Sequence, residues 1–226
     1  MSKASSPLAP ETLRVGGAPE GRDAQLLAEL AERAAGPALF VARDDARLAA
    51  MAEALRFFAP GLPILRFPAW DCLPYDRISP AAEIGAARMA TLATLADWRA
   101  AGAAPRAAVL ATLNAATQRL PAPELVASAS FTADTGRAVD LDALRGYLGR
   151  MGFNRAPTVT EPGDYAIRGG VIDVFPPGAD LPVRLDFFGD VLDGARRFDP
   201  ETQRTVEKIA RVEFAPASEV ILDEAA

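Results

Sequence analysis

The chain has 226 residues, 50% hydrophobic and 24% charged, the composition of a globular protein rather than a disordered one. It has no histidine and one cysteine, Cys72, which excludes imidazole bases, histidine metal sites, disulfide frameworks and cysteine zinc clusters. A net charge of −6 argues against a DNA-coating role, no apolar run is long enough to span a membrane, and the N-terminus lacks a secretory core, so a cytoplasmic protein is expected.

The length allows one large or two small domains. Of the alanines, 33 fall in residues 1–120 and 15 in 121–226. Alanine is the best helix former, so the first part should be helix-rich. Its pattern alternates strands and helices: strand 12–15, helix 23–35, strand 38–42, a helix capped by Asp44 or Asp45 and running to Phe58, and strand 64–67. A proline-rich aromatic loop follows over 68–80, then a long helix over 81–101, strand 107–111 and a short helix over 114–118. This alternation predicts a parallel sheet faced by helices.

A proline-rich joint at 120–123 marks a domain boundary, and the charge changes sign there, from +1 before it to −7 after it. Strand-like sequence over 125–131 leads to a helix over 141–151, ended by Gly152. Strands then follow over 165–168, 171–175, 183–188, 191–198 and 205–214, separated by Gly169-Gly170, Pro176-Pro177-Gly178 and Gly189-Asp190. Such short links require antiparallel pairing. The second part is therefore expected to be a small α+β domain on an antiparallel sheet.

The segment Gly16-Gly17-Ala18-Pro19-Glu20-Gly21-Arg22-Asp23 stands where a phosphate-binding loop would join strand to helix. Gly16 and Gly21 have the P-loop spacing, but Arg22 replaces the lysine and Asp23 the magnesium-binding hydroxyl. Asp23 and Glu20 would repel a triphosphate. The alternative is a plain glycine turn with Asp23 as a helix N-terminal acid. Both readings predict no competent nucleotide site and no cofactor. Cys72 cannot be a cysteine–histidine nucleophile and reads as a structural cysteine. Trp70 and Tyr75 read as loop packing rather than a nucleic-acid stacking platform, since only Arg77 adds charge nearby.

On strand 183–188, Val183, Leu185 and Phe187 take the core face, and Arg184, Asp186 and Phe188 take the other. Phe188 stands roughly 13 Å from Arg184 along the strand, and Arg168 ends the preceding hairpin strand. An aromatic among arginines suits a protein-binding hot spot. The alternative is that Phe188 is covered by helix 141–151 or by the first domain, with Arg184 paired to Asp186 or to a cross-strand acid.

Residues 67–80, FPAWDCLPYDRISP, 162–178, PGDYAIRGGVIDVFPPG, 184–190, RLDFFGD, and 197–204, RFDPETQR, resemble the bacterial transcription–repair coupling factor family. The first domains of UvrB are similar, but UvrB keeps an intact P-loop. Asp71 and Cys72 replace the family's usual Glu-Thr. The resemblance implies an amino-terminal UvrB-homology module with a helicase-like first domain (1–121), an α+β UvrA-binding domain (122–211) and the start of a further segment (212–226). It also implies a non-catalytic role: recruiting UvrA to stalled RNA polymerase and restraining an ATP-driven translocase on duplex DNA. By the same resemblance, the UvrA contacts fall on Arg168, Arg184 and Phe188. A UvrB-like nucleotide-dependent helicase fragment is the alternative, and the loop at 16–23 argues against it.

Overall fold

The computed structural model describes residues 15–17, 19, 21–72 and 80–221. Apart from Val15, which lies in no strand, the expected strand 12–15 falls outside them, as do Glu20, Tyr75 and Arg77.

The first unit is a parallel sheet of β1 (Ala38–Ala42), β2 (Ile64–Phe67) and β3 (Ala108–Thr112), in the order β1-β3-β2. Helices α1 (Arg22–Arg33) and α2 (Asp45–Phe58) pack on one side of it. There Leu27, Leu48, Met51 and Leu55 meet Ala42, Ala108 and Leu110. Helix α2 starts because the Asp44 carboxylate accepts the Arg47 backbone N–H at 2.8 Å. Helix α3 (Ala82–Ala100) covers β2, and Phe67, Ala111 and Leu92 share a small cluster. Helix α4 (Leu113–Ala116) follows β3, with Thr112 as its cap.

The expected strand over 125–131 is instead helix α5 (Pro123–Ser128), and β4 begins only at Phe131 (Phe131–Asp134). Proline sits in the first turn of α5, where its fixed φ suits the helix and its missing N–H leaves nothing unbonded. Val126 then packs on Met89 and Ala96 of α3.

The second unit is built on a six-stranded sheet in the order β10-β9-β8-β7-β6-β5: β5 (Asn154–Arg155), β6 (Asp164–Arg168), β7 (Val171–Val174), β8 (Val183–Phe188), β9 (Val191–Phe198) and β10 (Thr205–Ile209). From β6 to β10 every pairing is antiparallel, and β5 joins β6 in parallel. Helix α6 (Leu141–Arg150) lays Leu144 and Leu148 against Ile172, Val174, Val183, Leu185 and Leu192. The expected strand 205–214 divides at Ala210, because β11 (Arg211–Phe214) leaves the large sheet to pair with β4. The boundary expected at 211/212 thus falls inside a strand, and Val212 and Phe214 lie in the core of the second unit.

Beyond β11 the chain runs between the two units. Ala217 and Ser218 donate to the Met151 carbonyl at 2.8 and 3.2 Å. Gly152 has φ +78°, and a Cβ there would meet the Ser218 side chain at 2.3 Å, so any larger residue would push this segment away. Glu219 then accepts Arg88 of α3 in a two-pronged ion pair and the Trp70 indole N–H at 2.9 Å. Among the described residues, no helix is long and apolar enough to cross a membrane.

Candidate partner-binding surface

The β8 alternation is as the sequence predicts. Val183 and Leu185 are buried and Phe187 is half-buried against the core, while Phe188 is 84% exposed. Phe188 pairs with Val191 across the Gly189-Asp190 turn, so the tip of the hairpin shows two apolar side chains to solvent. Neither α6 nor the first unit covers Phe188.

Arg184 differs from a free guanidinium on a solvated face. Register pairs it with Asp173 of β7, and the two form a fork: Nε to Oδ1 at 2.7 Å and an Nη to Oδ2 at 2.8 Å. The guanidinium lies 4.5 Å from the centre of the Phe198 ring. Beneath it, Val159, Ala166, Phe175 and Phe198 make a second small core on this side of the sheet. Arg184 is therefore paired with a cross-strand acid, one of the outcomes the sequence left open. The hydrogen bond to Asp173 is the main reason its pKa rises, and burial works against that rise. Asp186, the other acid considered, pairs with Arg196 at 3.0 Å.

Arg168 stands beside this pair, as its place on the preceding hairpin requires. One Nη is 3.6 Å from Asp173 Oδ2, and the other donates to the Pro157 carbonyl at 2.6 Å. Its side chain is half exposed. The β6–β7 turn is held next to the Phe188 end of β8, since the Phe187 N–H donates to the Gly170 carbonyl at 2.8 Å. A Cβ on Gly170 would stand 2.9 Å from the Phe187 carbonyl oxygen, so only glycine permits this approach. Arg168, Arg184 and Phe188 thus share one face, in consecutive rows.

Asp173 and Gln203 escape a reading by residue type. Asp173 carries a sequence signal, an acid inside the apolar run Val171-Ile172-Asp173-Val174. Gln203 carries none, because it reaches Arg184 through a turn that only the fold brings close.

At the other end of the chain, Gly21 caps α1 with φ +86°. Arg22 pairs with Glu29 at 3.5 Å. The Asp23 carboxylate is taken by Arg47 of α2 and by the Ala24 N–H at 3.0 Å. Gly16 is described and lies in no strand. Cys72 is half-buried. Among the described residues, no three His, Cys, Asp or Glu side chains are placed to hold a metal.

A family model, the UvrB interaction domain, matches residues 131–220. The transcription-repair-coupling factor of Escherichia coli is 34% identical over 203 residues, covering 90% of this chain and 17% of that protein. The protein of the same name from Myxococcus xanthus is 37% identical, covering 87% of this chain and 16% of its own length. That of Bacillus subtilis is 29% identical over 159 residues. The chain spans about a sixth of the length of the first two relatives and 13% of the third. The match to the UvrB interaction domain over residues 131–220 thus lies in a chain that is similar over nine tenths of its length to transcription-repair-coupling factors.

Proposed function

We propose that this chain is a non-catalytic recruitment module that binds UvrA and so brings nucleotide excision repair to stalled RNA polymerase. The observation that carries the reading is Phe188: a phenylalanine 84% exposed at a hairpin tip, on the same sheet face as Arg168 and Arg184, inside the matched domain. A large apolar side chain held out in water on the same face as a half-exposed guanidinium has the make-up of an interface anchor. Arg168 offers a half-exposed guanidinium to a carboxylate on UvrA. Phe188 fills an apolar pocket next to it, and Val191 widens the contact.

The first unit takes no part in catalysis. Its Arg22 and Asp23 replace the groups that hold triphosphate and magnesium, and the Arg47 pair further engages the Asp23 carboxylate. No cofactor is required for recruitment. Within a longer coupling factor, the same module helps to restrain the ATP-driven translocase. RNA polymerase and duplex DNA are partners of that larger protein.

The test is retention of purified UvrA by the immobilised chain at physiological salt. Saturable retention is expected. Its absence, with the chain shown to be folded, would overturn the reading.

A further inference from the structure

We infer that Asp173 is a positioning residue for the partner-binding surface, holding Arg168 and Arg184 as one unit. The inference rests on the recruitment reading above. Asp173 lies between Ile172 and Val174 on β7 and is 1% exposed. A carboxylate buried this deeply is costly unless it is paired. Here one carboxylate serves two guanidiniums, Arg184 through the fork at 2.7 and 2.8 Å and Arg168 at 3.6 Å. The cluster therefore keeps one net positive charge, on a part of the chain that is otherwise strongly acidic.

The fork is backed from behind. Gln203 Oε1 stands 3.4 Å from Arg184, and its amide donates to the carbonyls of Val159 and Pro200 at 3.2 and 2.8 Å. Gln203 takes φ +60°, the one positive value among the described non-glycine residues. The turn that imposes it is closed by Asp199, which accepts the N–H groups of Glu201 and Thr202. Arg184 is 18% exposed and its hydrogen bonds are largely spent inside the protein, whereas Arg168 is 50% exposed. Arg168 is thus the cation that can meet a partner, and the buried pair fixes where it stands. A guanidinium fixed in advance loses less freedom on binding.

The experiment is a double-mutant cycle on UvrA affinity, with thermal melting to verify folding. Asp173→Asn is expected to weaken binding by roughly tenfold, although it raises the positive charge of the face. Added to Arg168→Ala and Arg184→Ala together, it should change affinity by less than about twofold. Additive losses, or a folded Asp173→Asn chain that binds like the parent, would overturn the inference. If Asp173→Asn does not fold, Arg184→Lys replaces it, keeping the charge and losing the fork. Its loss of affinity should vanish in the Arg168→Ala background; persistence of the loss, or no loss at all, overturns the inference. Failure of the parent chain to bind UvrA overturns the recruitment reading itself, and this inference with it.

Discussion

Tyr147 shows how a single side chain couples the core to pH. Its ring packs among Phe131, Phe153 and Phe214, and its hydroxyl donates to the Phe214 carbonyl at 3.2 Å. Burial pushes its pKa well above that of a free tyrosine. The folded value exceeds the unfolded one, so this contribution to stability is complete below about pH 10 and is lost as pH rises beyond it. Unfolding midpoints in denaturant, measured from pH 8 to 11, should fall at the alkaline end for the parent. For Tyr147→Phe the fall should be shallower. Asp199 has the opposite sign: the Thr202 N–H and hydroxyl and the Glu201 N–H hold its carboxyl below the usual carboxylate range. The stability it brings is present above the ordinary carboxylate value and is lost as pH falls through its lowered folded value. The gap in unfolding midpoint between the parent and Asp199→Asn should therefore close in acid.

Among elements, those with strong local signals follow the sequence closely. Helix α2 starts at its Asp44 cap, and β8 alternates as written. Where long-range pairing or a proline decides, the pattern misleads. Leu125-Val126 has strand-like residues, yet Pro123 starts a helix whose Val126 is claimed by α3. Residues 205–214 read as one strand, but β4, remote in sequence, takes the second half. The face of β8 was legible from period-2 spacing, and so was Phe188. The role of Asp173 was not, because it depends on register between β7 and β8. The α1 entry yields a prediction of its own. With Arg22 and Asp23 in place of lysine and hydroxyl, and Asp23 tied to Arg47, titration calorimetry with Mg-ATP should show no heat of binding at millimolar nucleotide. Saturable binding that Gly21 or Arg22 variants abolish would contradict this reading.

At the scale of the whole molecule, a buried ion pair joins Arg88 of α3 to Glu219 in the segment after β11. Arg88 is fully buried and stacks 4.0 Å above the Phe67 ring. Its partners are Glu219 and, at 2.7 Å, the Pro68 carbonyl. Removing one member of such a pair strands the other in the interior, at a cost of about 3–5 kcal/mol. Glu219→Gln should lower the melting temperature clearly, and Arg88→Met with Glu219→Gln together should recover part of the loss. A single variant that melts with the parent would show that the segment after β11 does not secure the two units. The surface proposed to bind UvrA should be separable from this framework. Phe188→Ala removes an exposed side chain, so it should change folding stability by no more than about 0.5 kcal/mol. Its loss should cost about 2 kcal/mol or more of binding. Leu185→Ala, which empties a fully buried site, should lower stability by about 2–5 kcal/mol. The most direct measurement is calorimetric titration of UvrA with Phe188→Ala, its fold verified by melting. Binding weakened by about thirtyfold or more at an unchanged melting temperature is the expected result, and parent-like affinity would contradict the recruitment account.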